Sequence, residues 1–282
     1  MSLDPVAITL ILTAALMHAT WHAMVKSVRD PILSMGQALA WAGAVGLILA
    51  VRAGWPPAAV WPWLGASLAI QLVYLTVLTR AYAVGDLSLA YPLARGLGPV
   101  VVAVLSALWV GEGISRGMIA GLGLVAVGVG VMAITGRLNT IPWRTIALAL
   151  ACALLIGCYT VVDGIGTRLW GDAVGYVGWI YLLTSPWLLG WAAIRRGARV
   201  WQEVAPQWRR GVIAGILSVA AYGVALWAIT TGPMAAVAAL REVSVVFAAV
   251  IGAVVLREPF GVRRVLGAAL VVCGLFVITL TS

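Results

Sequence analysis

The sequence predicts an all-α polytopic membrane protein with ten transmembrane helices arranged as two inverted five-helix repeats. The first observation is composition: of 282 residues, 63% are hydrophobic and only 10% are charged, whereas soluble domains carry about 25% charged residues. The second is a series of apolar segments long enough to cross a bilayer. The third is a duplicated pattern of charges and glycines. Together they exclude a soluble globular domain and a disordered chain.

Ten segments come close to or exceed the roughly 20 apolar residues that a membrane-spanning helix needs. They cover, in chain order, 5–26, 31–51, 61–84, 88–110, 115–135, 143–167, 173–194, 210–230, 234–256 and 262–280. Pro92, Pro99 and Pro186 fall within segments, where a membrane helix can kink if neighbouring groups satisfy the freed backbone. The connections are short, and the longest runs from 195 to 209.

A pattern of one arginine, one glutamate and two glycines occurs twice, 146 residues apart. The two copies are Arg95, Glu112, Gly121, Gly128 and Arg241, Glu258, Gly267, Gly274. Five segments per copy would place the copies in opposite orientations, as in many secondary carriers. One repeat is therefore predicted over 1–138 and the other over 139–282. Gly117 and Gly121 form a GxxxG pattern that predicts packing between the repeats, with a homodimer contact as the lesser alternative.

The net charge of +9 does not indicate a nucleic-acid partner, because the basic residues lie in short loops between apolar segments. Twelve of the 18 Lys and Arg lie in loops after odd-numbered segments, and three lie in loops after even-numbered ones. The positive-inside rule makes the first group cytoplasmic, so both termini are predicted to face outward. Seventeen arginines against one lysine indicate a GC-rich genome, and hence the cytoplasmic membrane of a bacterium.

Arg95 and Arg241 are charges inside membrane segments, and such costly charges normally mark a solute path or a pairing site. A guanidinium group matches carboxylate and phosphate bidentately, which makes both arginines candidates for binding a substrate anion. The alternative is an internal ion pair that braces the bundle or closes a gate. The acids predicted to form structural ion pairs are Asp163, Glu242, Glu112 and Glu258.

Aromatic side chains in the other segments predict a cavity wall, although ordinary helix packing is the alternative for each of them. A cavity lined by aromatics with few polar anchors suits an amphipathic organic solute. Tyr91 shares a helix face with Arg95, and Tyr74 and Tyr82 share another face. The aromatic candidates for substrate contact are Trp21, Tyr74, Tyr82, Tyr91 and Tyr159.

The only two histidines, His18 and His22, lie with Lys26 on one face of the first segment, four residues apart. Histidine changes charge near neutral pH, so this stripe could relay protons that drive transport. The alternative is that both rings are neutral and bond to neighbouring helices.

No sequence motif indicates an enzyme, a cofactor or a metal. The chain has no Walker lysine loop, no HExxH and no G-x-S-x-G. Cys152, Cys158 and Cys273 have no metal-binding spacing. We therefore expect no cofactor and no catalytic residue.

The ten segments, the duplication and a glutamate just after the fourth and ninth segments resemble the EamA-type family of the drug/metabolite transporter superfamily. The stretches that carry the resemblance are HATWHAMVK (18–26), GDLSLAYPLARGLGPVVVAVLSALWVGEGIS (85–115) and ALREVSVVFAAVIGAVVLREPFGVRRVLGAALVVCG (239–274). The resemblance implies a transporter and favours export. The first segment also resembles the small multidrug-resistance branch, where a membrane glutamate lies eight residues before a lysine; here His18 holds that place before Lys26.

The sequence as a whole predicts a secondary carrier of a small organic metabolite, zwitterionic or anionic, that works by alternating access through a central cavity. Its expected partners are this small-molecule substrate and the lipid bilayer. Two rival functions differ in kind: a flippase of a lipid-linked head group, and a membrane-embedded enzyme.

Overall fold

A computed structural model describes residues 4–28, 30–84, 87–133, 143–254 and 261–281. These residues form α-helices and short turns, without a β-strand among them. The helices, in chain order, are α1 Pro5–Lys26, α2 Pro31–Ala53, α3 Trp61–Val84, α4 Leu87–Trp109, α5 Arg116–Ala133, α6 Trp143–Trp170, α7 Ala173–Thr184, α8 Pro186–Arg196, α9 Arg199–Val204, α10 Trp208–Thr231, α11 Met234–Arg241, α12 Val243–Val254 and α13 Val262–Thr281. Glu258 and the predicted repeat boundary at 138/139 lie outside the described residues.

Each predicted segment coincides with a helix, but two segments are interrupted. The segment 173–194 divides into α7 and α8 before Pro186, and the segment 234–256 divides into α11 and α12 at Glu242. Within the described part of the chain, eight helical stretches are long and apolar enough to cross a membrane, while Arg95–Trp109 and Arg116–Met132 are shorter. The all-helical membrane fold is therefore confirmed, with eight candidate spans rather than the ten predicted.

Short polar signals set several helix ends. Asp30 precedes Pro31, and its carboxylate accepts the Leu33 N–H at 3.0 Å, which caps the start of α2. Asp172 caps α7 in the same way through the Gly175 N–H at 2.9 Å. Gly54 follows α2 with φ of 79°, a conformation that glycine adopts without steric cost. These residues fix where the chain turns between helices.

Helices α5 and α13 pack in close antiparallel contact through glycines. A Cβ placed on Gly121 would lie 2.6 Å from the Gly274 carbonyl oxygen, and one on Gly128 would lie 2.7 Å from the Gly267 carbonyl oxygen. Residues near the start of α5 contact residues near the end of α13, and later residues of α5 contact earlier residues of α13. The two helices are therefore antiparallel. Such backbone approach needs residues without side chains, so these glycines serve packing within one chain.

The remaining helices surround a central space. Helix α6 packs on α3 and α4, and α1 packs on α10 and α12. Helix α2 packs on α7, where Gly46 and Gly178 allow a second close antiparallel contact. The apolar core includes Ile11, Val125, Tyr176 and Leu226, all fully buried. The arrangement brings residues from both halves of the chain around one cavity.

Candidate functional site

A cavity of about 870 Å³, including the space at its mouth, lies among eight helices from both halves of the chain. Seven aromatic or imidazole rings line it, together with two arginines and a few amide and hydroxyl groups. The rest of its wall is apolar, formed by side chains such as Met35 and Leu78. A mostly apolar wall with a few convergent polar groups is typical of sites for small organic molecules.

Most of the residues predicted for the site do lie on this wall. They are His18, Trp21, His22, Tyr74, Arg95, Tyr159 and Arg241. Tyr82 and Tyr91 lie on α3 and α4, in stretches whose side chains are outside the described part of the structure. Within the described residues, no three His, Cys, Asp or Glu side chains are grouped to hold a metal ion.

Five further polar residues of the wall were not among the candidates for substrate contact: Gln71, Tyr181, Thr184, Ser218 and Tyr222. The signal that could have found two of them is spacing, because Ser218 and Tyr222 lie four residues apart on one face of α10. The Tyr181 hydroxyl lies 2.7 Å from the Ser218 hydroxyl, which links α7 to α10 beside the cavity.

Arg95 is neutralised by an acid from the other half of the chain. Its Nη2 lies 3.0 Å from Glu242 Oε1, and both side chains are almost fully buried, with 6% and 5% exposure. The same nitrogen donates a hydrogen bond to Ser244 Oγ at 3.3 Å. Glu242 lies at the interruption between α11 and α12, where backbone bonds join residues three apart, such as Val245 N–H to the Glu242 carbonyl. The pair therefore ties α4 to this interruption.

Arg241 is placed differently from Arg95. Its guanidinium carbon lies 5.4 Å from the centroid of the Tyr222 ring, a cation–π contact. The residue is half-buried and lines the cavity. Within the described part of the chain, Arg241 forms no ion pair. Its charge therefore faces the cavity without a contacting carboxylate from the described residues.

Asp163 holds the ring beneath Arg241. Its Oδ2 accepts hydrogen bonds from the Tyr222 hydroxyl and, at 3.4 Å, from Gln71 Nε2. Its Oδ1 accepts from the Tyr176 hydroxyl at 2.9 Å, and the aspartate is fully buried. The contacts found for Asp163 are thus hydroxyl and amide groups rather than an arginine. Two of them, Gln71 and Tyr222, also line the cavity.

His18, Trp21 and His22 form a compact ring cluster on the α1 side of the cavity. The His18 and His22 rings are 4.5 Å apart between centroids, and those of Trp21 and His22 are 3.8 Å apart. Trp21 Nε1 donates to His18 Nδ1 at 3.4 Å. In a neutral imidazole that accepts at Nδ1, the proton resides on Nε2. His18 Nε2 is buried and has no hydrogen-bond partner among the described residues.

A second polar cluster lies away from the cavity, where α4 and α6 end. Arg168 donates to Glu112 at 2.7 Å and to the carbonyls of Ile229 and Gly232 at 2.9 and 2.8 Å. Glu112 also accepts the Met234 N–H at the start of α11, at 2.9 Å. We call Glu112 and Arg168 the clamp. Arg116, the basic residue near Glu112 in the sequence, forms none of these contacts; the partner comes from α6 instead.

The clamp and the cavity lie at different depths. Along α4, Arg95 is about 21 Å, at 1.5 Å per residue, from Trp109, where the helix ends just before Glu112. Along α6, Tyr159 and Arg168 are separated by about 14 Å by the same rise. The cavity is thus displaced toward one end of the bundle, and the clamp joins the helix ends at the other.

The comparisons with known proteins agree with this architecture. Residues 143–280 match the sequence model of the EamA-like transporter family. This half of the chain is EamA-like. The match agrees with the family resemblance over this half of the chain, and the matched family is one of transporters. No curated protein matches the chain.

A solved crystal structure shares the fold over nearly the whole chain. Its TM-score is 0.76 at 20% sequence identity, and the similarity covers 98% of this chain and 96% of the other. At that identity the likeness concerns the fold alone. The chain thus shares its fold with that solved structure over nearly its whole length. Its apolar helices and its EamA-like half support a multi-pass membrane protein.

Proposed function

We propose that the protein is a secondary carrier built from two inverted five-helix repeats, 1–138 and 139–282, with ten membrane spans. The glycine contacts support the inversion. Gly121 contacts Gly274, and Gly128 contacts Gly267; the 146-residue offset that relates the repeats converts each pair into the other. Two equivalent helices that pack antiparallel in this way are related by a two-fold axis across the bundle, as inverted repeats require.

The proposed substrate is a small organic anion or zwitterion, and the observation that carries this is Arg241. It is a cation in the cavity without an ion-pair partner in the described part of the chain. Because a charge held inside a membrane needs compensation, an anionic group of the substrate would supply it. His18 Nε2 offers a second donor that has no acceptor among the described residues. Both groups therefore favour a ligand that brings carboxylate or phosphate oxygens.

The proposed access is from the side of the α1–α2 connection. The cavity wall includes His22, near the end of α1, and Met35, near the start of α2. The clamp joins helix ends on the opposite side of the cavity. By the distribution of arginines the α1–α2 side is cytoplasmic, with both termini outward, in the cytoplasmic membrane of a bacterium. A cytoplasmic mouth suits the export that the family resemblance favours.

Coupling to protons through His18 and His22 is the proposed energy source. Both rings line the cavity and contact each other, so a proton and a substrate would meet at one place. We expect that replacing both residues with Gln abolishes the pH dependence of substrate flux into proteoliposomes. Flux whose pH dependence is unchanged in that double variant would exclude the histidines from coupling.

Thermal unfolding of the purified protein with a panel of organic anions, amino acids, nucleosides and organic cations tests the substrate class. A ligand that binds the native state raises the unfolding temperature by mass action. We expect stabilisation by anions or zwitterions that is lost in Arg241→Gln. The matched control is Arg52→Gln, which removes an exposed arginine that does not line the cavity and should retain the stabilisation. Stabilisation by cations alone, unchanged in Arg241→Gln, would overturn the proposal.

A further inference from the structure

The connection between α8 and α10 carries a strip of exposed positive charge outside the cavity. The strip consists of Arg195, Arg199, Arg209 and Arg210, all exposed. Three exposed tryptophans alternate with it: Trp191, Trp201 and Trp208, with 49%, 56% and 50% exposure. Tryptophan settles at the boundary between hydrocarbon and head groups, so the alternation fits a segment at the membrane surface.

Two of the arginines stack on these tryptophans. The guanidinium carbon of Arg195 lies 5.4 Å from the Trp191 ring centroid, and that of Arg209 lies 5.5 Å from the Trp208 ring centroid. A stacked guanidinium still presents its N–H groups at the edge, where they match phosphate oxygens bidentately. In each Arg–Trp pair the tryptophan ring can thus contact lipid chains while the arginine guanidinium binds a lipid phosphate.

The segment that carries the strip is folded against the bundle. Val200 and Val204 of α9 are buried against Leu33 and Ala192, in a small core of their own. Gln37 of α2 donates a hydrogen bond to the Val204 carbonyl at 2.7 Å. The strip is therefore held at a fixed place relative to the membrane spans rather than on an unstructured loop.

Acids beside the strip are neutralised by a fifth arginine. Arg196 binds Asp30 at 2.6 Å and Glu203 at 2.9 Å. None of the four strip arginines forms an ion pair among the described residues. The local carboxylates are thus occupied, and the positive charge of the strip remains available to a partner.

We propose that this strip, with its tryptophans, is a binding site for the head groups of anionic phospholipids. Charge complementarity favours this partner, since juxtamembrane arginines are attracted to anionic lipids at the cytoplasmic surface. The count of Lys and Arg places this connection on that surface. The site is separate from the cavity, because none of the strip's arginines or tryptophans is among the described residues that line the cavity wall. The carrier would thus depend on the lipid charge of its membrane.

Native mass spectrometry of the purified full-length protein, incubated with equal amounts of dioleoyl phosphatidylglycerol and dioleoyl phosphatidylcholine, tests the proposal. We expect the phosphatidylglycerol to be retained in excess, and the excess to fall as salt rises. Replacing the four strip arginines with Gln should reduce it at least tenfold, given roughly fivefold for each arginine near an anionic surface. Replacing them with Lys should preserve most of it.

The control variant is Arg52→Gln/Arg116→Gln, which removes two exposed arginines from the ends of α2 and α5. It should leave the phosphatidylglycerol excess unchanged. Equal retention of both lipids by the native protein, or an unchanged excess in the four-Gln variant, would overturn the proposal. Thermal unfolding of each variant verifies folding. If the Gln variant unfolds, the salt dependence of the native protein decides the test, and an excess that does not fall as salt rises would overturn the proposal. Ligand stabilisation in the Arg241 experiment is independent of either outcome.

Discussion

The buried pair of Arg95 and Glu242 should be the most costly place in the bundle to remove one charge. The two groups are 3.0 Å apart and at most 6% exposed. At an effective dielectric constant of about 20, their attraction is about 5 kcal/mol. Leaving one partner buried without the other typically costs about 3–5 kcal/mol. We therefore expect Glu242→Gln and Arg95→Gln each to lower the unfolding free energy by that amount, although Gln preserves the shape of Glu.

A double-mutant cycle separates the pair from its surroundings. The Arg95→Gln/Glu242→Gln variant leaves no unpaired charge, so its loss should be well below the sum of the two single losses. Reversible unfolding in mixed detergent micelles, followed by far-UV circular dichroism, gives all four free energies. Ser244→Ala is the control for the neighbouring 3.3 Å bond, with an expected loss of about 1–2 kcal/mol. Additivity of the two Gln variants within about 0.5 kcal/mol would refute the reasoning.

Three further predictions concern other contacts. Gly128→Ala should destabilise the protein by about 1–3 kcal/mol, because its Cβ would lie 2.7 Å from a backbone oxygen of α13. The control Gly130→Ala, whose Cβ meets nothing within 4 Å, should be neutral or stabilising by up to about 1 kcal/mol. Equal effects of the two substitutions on thermal unfolding would contradict the packing argument. Glu112→Gln weakens a partly exposed, charge-assisted hydrogen bond to Arg168, so we expect the unfolding free energy to fall by about 1–2 kcal/mol in the same assay. A stability equal to that of the native protein would mean that the clamp does not hold the helix ends together. Partial burial raises the pKa of Asp30, but the Leu33 N–H and the guanidinium of Arg196 outweigh it, so the pKa lies below its usual range. The carboxylate therefore stabilises the fold at neutral pH and loses this contribution as the pH falls through the lowered pKa. Asp30→Asn should be less stable than the native protein at pH 7 and lose less stability on acidification, and parallel losses in the two proteins would exclude this role.

Hydropathy and spacing were enough to locate the helices and to gather much of the cavity wall. A membrane helix satisfies its backbone hydrogen bonds within one apolar segment, so each helix can be recognised from its own stretch of sequence. The glycines of α5 and α13 could be found in the same way, because equal spacing in two copies gave Gly121, Gly128, Gly267 and Gly274 before any contact was known. For the same reason Arg95 and Arg241 stood out as charges within apolar segments.

The partners of these charges could not be predicted, because they depend on tertiary packing. Glu112 pairs with Arg168, 56 residues away, rather than with the nearby Arg116. No Pro or Gly lies at or beside Glu242 to predict the interruption, and the apolar segment continues before Arg241 and after Glu242. The α9 helix is too short to show a periodic pattern in the connection 195–209. Each of these features is decided by which surfaces meet, and sequence periodicity describes only one helix at a time.

The difference between Arg95 and Arg241 follows from a single departure from the repeat. Glu242 occurs only in the second copy, and the equivalent position in the first copy is Gly96. A Cβ on Gly96 would lie 2.7 Å from Val129 Cβ, so the packing against the Val129 side chain leaves no room there for an acidic side chain. Glu242 reaches across the bundle to neutralise the arginine of the first copy, and its own neighbour, Arg241, has no ion-pair partner among the described residues. A carrier of this proposed kind needs two similar halves to exchange conformations around one fixed site. Because Glu242 is present in one copy only, just one of the two related arginines, Arg241, lies in the cavity without an ion-pair partner among the described residues. A single cation of that kind suits one anionic group of one substrate.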